Sequence, residues 1–541
     1  MTRPTLVIVL VIALVATALV QVPYALGAAL ARPSCEFTGV IMNPEDSQSY
    51  FAKMLQGCDG NWLYTIPFTT EEHAPAFVGG FYLGLGHLAR GLGVSLVTMW
   101  HLARIAADVV LFLATFGFIA QFLEDARARW MAYLLALGGS GLGWVLFLLN
   151  QPYWLGWFPV DFKMPESHLF FSALTFPHVA LGSALILASL WCAQRISASE
   201  KWRYAIGAGA ANLALAIVYP FLIYLVAATV GIYWTYLGAC ARRLRWRAGL
   251  LLAASFLIPA PLILGYALTL FTNSVFRAWD AQAITPSPPP PHYLLAYGVM
   301  LILAVLSVRR GRAGFALLWC WIGAVMLLIY APLNPQRRFV QAVQVPLAVL
   351  TAAAWFDSVL PWVAQTRLFR WLATRPRYSV AGLERLLSIA FLLLMSLSNF
   401  YILASTAVTA AIEQPYPLFR ARAEIAAVDW LRANTAHAEA VLGAYQTGNY
   451  IAARAGNRVM LVHLAETVDW QRKMDQVERF YYTATDDTWR VALLRDYRIA
   501  YVLWGTGERD LGAFDPEGAS YLERVFANET ARVYRVRAGE R

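Results

Sequence analysis

Along most of the chain, apolar residues do not recur at the period of a strand or of an amphipathic helix. They run together. Stretches near the 20 residues a helix needs to cross a bilayer fall at about 5–30, 95–123, 130–149, 172–193, 204–219, 221–240, 248–271, 292–308, 313–330, 341–360 and 381–408. The pattern predicts about eleven transmembrane helices. Segment 204–240 counts as two short spans broken near Tyr219-Pro220, because proline cannot continue the helical hydrogen-bond ladder. The first stretch is long for a signal peptide and lacks a clean small-residue cleavage site, so it is taken as a retained span. Segment 76–90 (AFVGGFYLGLGHLAR) is too short to cross and predicts a helix on the membrane surface.

Beyond residue 410 the pattern changes. VDWLRANT, VDWQRKMDQVERFYY and TWRVALLRDY have helical periods, and AVLGA, VMLVH and IAYVLWG are extended apolar runs. A turn and helix are expected at Thr447-Gly448-Asn449-Tyr450, and YLERVFANE and ARVYRV close the chain. This alternation predicts a small α/β domain with a mainly parallel sheet.

Composition agrees with the division. Of 541 residues, 59% are hydrophobic and 14% charged, against about 25% charged in an ordinary soluble domain. A single soluble enzyme and a disordered chain are both excluded. Residues 411–541 hold 17 basic and 18 acidic residues, and residues 1–410 hold 26 and 15. The expected fold class is therefore a polytopic α-helical membrane protein of about eleven spans (1–410) followed by a small C-terminal extracytoplasmic α/β domain (411–541). The net charge of +10 belongs to the membrane part and does not argue for nucleic acid.

Basic residues mark cytoplasmic ends. They cluster at Arg127 and Arg129; at Arg195, Lys201 and Arg203; at Arg242, Arg243, Arg245 and Arg247; at Arg309, Arg310 and Arg312; and at Arg367, Arg370, Arg375 and Arg377. With Arg3 they predict a cytoplasmic N-terminus and place 31–94, 150–171, 272–291, 331–340 and 409–541 on the outer side of a plasma (inner) membrane. Five cysteines are too few for a disulfide scaffold, although Cys35 and Cys58 share the first outer loop and form a candidate pair. No CxxC, HExxH, phosphate-loop or nucleotide-fold glycine motif occurs.

The outer loops concentrate the acids. Glu45-Asp46 follow Asn43-Pro44 just beyond the first span. Adjacent carboxylates there suit a general base and its neighbour or a divalent-ion site; alternatively they belong to a turn capping a helix that begins near Ser47. Asp161, Glu166, His168 and His178 lie close together among aromatics in the second outer region. Glu166 after Pro165 suits a helix cap or a ligand, and the histidines suit polar interfacial positions or ligands. Arg104 and Asp108, four apart in a span, share a face and point to a polar cavity or to each other. Arg337-Arg338, in NPQRRFVQAVQVP, lie at the outer start of a span, where arginine is scarce. They suit a phosphate, gripped bidentately, or a lipid headgroup. The proline-rich 280–291 is a spacer or a lid. Gln446-Thr447-Gly448-Asn449, and His463 with Glu466, lie at strand ends and suit structural or acceptor-binding roles.

Together these features resemble the GT-C superfamily of integral-membrane glycosyltransferases, closest to its protein O-mannosyltransferase and aminoarabinose-transferase branch. The resemblance rests on Glu45-Asp46 followed by Tyr50, Ala52, Met54, Gly57, Gly60 and Trp62; on Glu72-His73-Ala74-Pro75 with Phe81-Tyr82; on Gly93 and Arg104; on Pro165-Glu166; and on Arg337-Arg338 with Pro346. The order holds along residues 1–360. The acidic pair is Glu-Asp rather than Asp-Glu, and His73 stands where the aminoarabinose branch has lysine. The resemblance implies transfer of a sugar, hexosyl or pentosyl, from a polyprenyl-phosphate donor to an acceptor hydroxyl on the outer face, with inversion. Asp46 would be the base with Glu45 beside it, and Arg337, Arg338, Arg104 and His73 would meet the donor phosphate. Glu166, Asp161 and His168 would contact a divalent cation (Mg or Mn) or the acceptor, which is a glycan, a lipid or a protein. Two other classes compete: a transporter or flippase for a lipid-linked or hydrophobic substrate, and a non-catalytic scaffold that displays the C-terminal domain.

Overall fold

The computed structural model describes residues 3–308 and 313–537. Arg309, Arg310 and Arg312 of the predicted cytoplasmic cluster lie outside the described residues. The chain divides into two compact units. One comprises Met1–Val22, Ala103–Ile263 and Thr285–Thr406; the other comprises Pro23–Leu102, Leu264–Ile284 and Ala407–Arg541. The C-terminal segment thus shares its unit with the first predicted outer loop.

Among the described residues, six helices are long and apolar enough to cross a membrane: Arg3–Leu30, Leu96–Ile119, Pro177–Ser199, Leu222–Ala241, Pro290–Ser307 and Gln336–Ala364. Two further pairs count if each is one broken span: Trp246–Leu257 with Ala260–Thr272, bent by 52°, and Val380–Leu394 with Leu397–Glu413, bent by 48°. The first bend falls at Pro259, which has no amide proton to give the ladder. Trp202–Val218 and Ala316–Leu328 are apolar but shorter. Helix does end at Val218 and resume at Leu222 around Pro220. The surface segment near 76–90 is a helix at Gly80–Leu92.

Stretch 130–149 departs most from its expected form. Helix runs only over Ala126–Gly138 and again over Trp144–Leu148. The intervening Gly139-Ser140-Gly141-Leu142 is non-helical, and side chains satisfy the backbone groups it frees. Gln344 Nε2 donates to Leu135 O at 3.0 Å and Gly139 O at 2.7 Å. Asn399 Nδ2 donates to Gly138 O at 2.8 Å and Gly139 O at 3.0 Å. Gln344 Oε1 also accepts from Leu169 N at 2.9 Å, at the start of helix Leu169–Thr175. A helix can break inside an apolar bundle only where its free carbonyls and amides find such partners.

In the second unit, strands β1 (Cys35–Phe37) and β2 (Phe419–Ala421) form an antiparallel pair. Strands β3 (Ala440–Leu442), β4 (Arg458–Val459), β5 (Ile499–Trp504), β6 (Leu522–Ala527) and β7 (Arg532–Val536) form one sheet in the order β4-β3-β5-β7-β6. β4, β3 and β5 are parallel, and β7 and β6 are antiparallel. The sheet is mixed rather than mainly parallel, because the two closing strands form a hairpin. β5 sends Leu503 into one apolar core, with Val428, Leu431 and Ile451, and Val502 into another, with Val477, Phe480 and Leu494. Helices thus cover both faces.

Thr447-Gly448-Asn449-Tyr450 is not a turn but lies inside helix Tyr445–Arg454. The glycine answers a close approach: a Cβ there would lie 2.4 Å from Leu461 O. Helices Pro44–Cys58 and Gly80–Leu92 meet in the same way, since a Cβ on Gly57 would lie 2.1 Å from Leu83 O and one on Gly86 2.0 Å from Met54 O. Cys35 and Cys58 are free thiols.

Replacing Gln344 by leucine strands the Leu169 amide in an apolar surround. We expect a loss of about 1–3 kcal/mol, the cost of one buried group left unsatisfied. Thermal unfolding of the purified protein in detergent checks this.

Candidate active site

The acidic pair sits at the start of helix Pro44–Cys58. Asn43 at its N-cap is left-handed (φ 47°), Pro44 takes the first helical position, and Glu45 and Asp46 fill the first turn. The helix therefore starts three residues before Ser47, and the two carboxylates lie where the helix dipole favours negative charge. Neither is merely solvated. Glu45 accepts hydrogen bonds from Tyr445 Oη at 2.9 Å and Gln446 Nε2 at 2.8 Å. Asp46 Oδ1 lies 3.1 Å from His463 Nε2. Arg420 fixes Gln446 in turn: its guanidinium donates to Gln446 O at 2.8 Å and lies over the rings of Tyr416 and Tyr450.

A buried layer holds His463. Glu466, three residues on, faces Lys53 Nζ at 3.1 Å, with both side chains no more than 5% exposed. Ser49 Oγ donates to the same carboxylate and accepts from Lys53 Nζ at 2.7 Å, and Tyr64 Oη donates to it at 3.1 Å. The amides of Glu466 and Thr467 donate to His463 O at 3.0 and 2.9 Å. Ala465 N reaches His463 Nδ1 at 3.3 Å, so in the neutral ring Nε2 carries the proton and donates to Asp46. Positions 46, 49 and 53 are spaced three and four apart, which puts them on one helix face. That spacing is the sequence signal by which Ser49 and Lys53 were discoverable beside Asp46.

Burial opposes a charged His463, but the hydrogen bond and charge of Asp46, with the charge of Glu466, outweigh it and raise its pKa. Burial also opposes a charged Glu466, but Lys53 above all, then His463 and Ser49, hold its pKa below the usual carboxylate range.

The other predicted residues fall out as follows. Both ring nitrogens of His73 are engaged by backbone: Nε2 accepts from Ile66 N and Nδ1 donates to Glu71 O, each at 2.9 Å. Burial lowers its pKa, and it clasps its own loop. Arg104 is fully buried and donates to Ala173 O at 3.2 Å and Leu174 O at 3.1 Å, at the C-terminal end of helix Leu169–Thr175, where a cation satisfies the last carbonyls. Asp108 is buried one turn along the same helix. Asp161 is buried and accepts from Gly143 N at 3.0 Å and Ser398 Oγ at 2.6 Å, a structural clasp. His168 is buried, hydrogen-bonds Ser167 Oγ at 2.9 Å and stacks on Tyr297. Burial pushes its pKa down to about 3, so it is neutral. His178 packs edge-on against Tyr219.

Glu166 and Arg338 are brought together. Arg338 Nε lies 3.7 Å from Glu166 Oε1, which also accepts from Tyr219 Oη at 3.1 Å. The Arg338 guanidinium lies 5.6 Å from the centre of the Phe221 ring. Glu166 caps no helix: Leu169–Thr175 starts after it, and the Leu169 amide goes to Gln344. Arg337 lies in the short helix Gln336–Val340, with its amide on Thr285 O. Among the described residues no three His, Cys, Asp or Glu side chains gather to hold a metal ion.

No protein-family model matches the chain, and no curated protein matches its sequence. Solved structures do match its fold. ArnT from Cupriavidus metallidurans bound to undecaprenyl phosphate aligns over 99% of this chain and 98% of its own, at 11% identity and TM-score 0.54. The arabinofuranosyltransferase AftD from Mycobacteria aligns over 100% of this chain but 40% of its own, at 14% identity and TM-score 0.56. The apo oligosaccharyltransferase of Archaeoglobus fulgidus aligns over 92% of this chain and 69% of its own, at 15% identity and TM-score 0.51. All three are GT-C superfamily membrane glycosyltransferases, and this chain has the GT-C fold.

Removing one partner of a buried ion pair leaves the other charge stranded. Glu466→Gln should therefore cost about 3–5 kcal/mol of stability, read by thermal unfolding. The pH dependence has two signs. The Glu466 contribution is present above the unfolded carboxylate range and lost as pH falls through the depressed folded value. The His463 contribution is complete below its unfolded value of about 6.5 and lost as pH rises through the raised folded value. The melting temperature should fall as pH rises from about 6 through that value, and His463→Gln should flatten this slope while leaving the acid limb in place.

Proposed function

We propose that this chain, built on the GT-C fold, transfers a sugar from a polyprenyl-phosphate donor to an acceptor hydroxyl on the outer face of the membrane, with inversion. The observation that carries the reading is the held carboxylate at the start of helix Pro44–Cys58. Asp46 is an acceptor for His463, sits in a helix's first turn and is 42% exposed, so it is both held in place and reachable. In the reaction we assign to it, Asp46 takes the acceptor hydroxyl proton. The acceptor oxygen bonds to the anomeric carbon as the bond from that carbon to the phosphate oxygen breaks, and the phosphate leaves with the electron pair. Arg337 and Arg338 are assigned to the charge that develops on the phosphate. Glu45 fixes the helix start through Tyr445 and Gln446, and Glu166 aims Arg338. This reading gives no step to His73, whose two ring nitrogens face its own loop, or to Arg104, whose guanidinium donates to Ala173 O and Leu174 O.

Glu166, Asp161 and His168 are the residues that the resemblance offers to a divalent cation. Glu166 faces a guanidinium and a phenol, groups that compete with a cation rather than complete its shell. We derive no step through a metal.

The test is transfer or hydrolysis of labelled polyprenyl-phosphate sugars by the protein in proteoliposomes. Asp46→Asn should lower the rate about 10²- to 10⁴-fold, the usual worth of a general base, with donor binding retained. Arg337→Gln with Arg338→Gln should cost about 10²-fold or more. Activity that survives Asp46→Asn overturns the assignment. The outer placement of the C-terminal segment is checked separately: a tag after Arg541 should be reached by a membrane-impermeant reagent in intact cells, and protection there refutes it.

A further inference from the structure

A cavity of about 590 Å³ opens where helix Pro177–Ser199 ends and helices Trp202–Val218 and Trp246–Leu257 begin. Its lining includes four cations, Lys201, Arg203, Arg245 and Arg247, and one acid, Glu200. Glu200 is committed to Arg245, at 3.1 Å. Among the described residues no carboxylate pairs with Lys201, Arg203 or Arg247. Three unneutralised cations around one concavity repel one another. A bias toward basic residues at one membrane face accounts for their number, but not for their convergence on a hollow.

Two further features have the same sign. The two helices that begin at the cavity have Lys201 and Arg245 at their N-caps, no side chain caps either end, and neither first turn holds an acid. Beside the cavity, Trp202 is 68% exposed, Trp246 64% and Leu250 68%. Aromatic side chains in such positions sit at the level of lipid headgroups. An anion would balance the charge around the hollow, and acyl chains would cover the apolar collar.

We propose that this cavity binds the phosphate headgroup of an anionic phospholipid, with Lys201, Arg203 and Arg247 on the phosphate and Trp202, Trp246 and Leu250 against the chains. The site is independent of the sugar-transfer reading, and its test does not use activity. A free phosphate shares the anion but not the collar.

The full-length protein is purified in detergent and titrated with phosphatidylglycerol, phosphatidylcholine or inorganic phosphate, with bound lipid counted by native mass spectrometry and stability read as the melting temperature. Phosphatidylglycerol should bind about tenfold more tightly than phosphatidylcholine, and Arg203→Gln with Arg247→Gln should remove that preference. A control pair on helix Arg367–Ala373, Arg367→Gln with Arg370→Gln, should keep it. Lys201→Gln alone, a change of one exposed side chain, should weaken the preference severalfold and serves if the double variant does not fold. Equal retention of the two lipids overturns the proposal, as does a preference that survives both the single and double cavity variants. Protection by millimolar phosphate equal to that by phosphatidylglycerol also overturns it, because the ligand is then a free anion.

Discussion

The ion pair between Lys53 and Glu466 is the contact on which the second unit's polar chemistry depends. Two buried charges are tolerated only if each finds the other and the remaining lone pairs and protons find donors and acceptors. Ser49 and Tyr64 supply those, so the carboxylate is saturated. The result is a rigid turn at 463–467 whose first residue presents its imidazole to Asp46. A carboxylate on a helix terminus would ordinarily swing among rotamers in water. Here one of its oxygens has a fixed partner in His463 Nε2. Charge inside the unit thus buys geometry at its surface.

The first unit solves a different problem, the free backbone groups of broken helices. A helix that stops inside an apolar bundle leaves carbonyls that water cannot reach. Gln344 and Asn399 take those after Leu135, and Arg104 takes those at the end of helix Leu169–Thr175. The same glutamine also receives the amide that opens that helix. One amide side chain thereby ties a helix end, a helix start and its own helix. This explains why a polar residue sits fully buried in a helix of which every residue is buried.

The long spans were legible because lipid leaves no alternative: some twenty apolar residues in a row can only be a helix or a buried core. Stretch 130–149 looked like another because glycine counts as neutral in an apolar run, while Gly138-Gly139-Ser140-Gly141 favours a break that distant side chains then stabilise. The sheet's parallel half, β3 with β5, showed in its apolar runs. Its antiparallel edge did not, because a hairpin and a crossover give the same strand pattern. At the site, adjacent carboxylates after a span drew attention to Asp46, and strand-end placement drew it to His463 and Glu466. Nothing in a single sequence joins residues 417 positions apart. The capping work of Arg104 was equally hidden, since a buried arginine looks alike whether it serves a phosphate or a carbonyl.

Lys53 and Glu466 are 413 residues apart, and β1 waits for a partner at residues 419–421. On a ribosome, therefore, the first loop emerges with its lysine unpaired and its strand edge open, and stays so until nearly all of the helices have been made. The order of synthesis makes closure of this unit the last event in the chain's assembly. A protein cut short between residues 46 and 466 carries the acidic pair but lacks the buried pair that holds it.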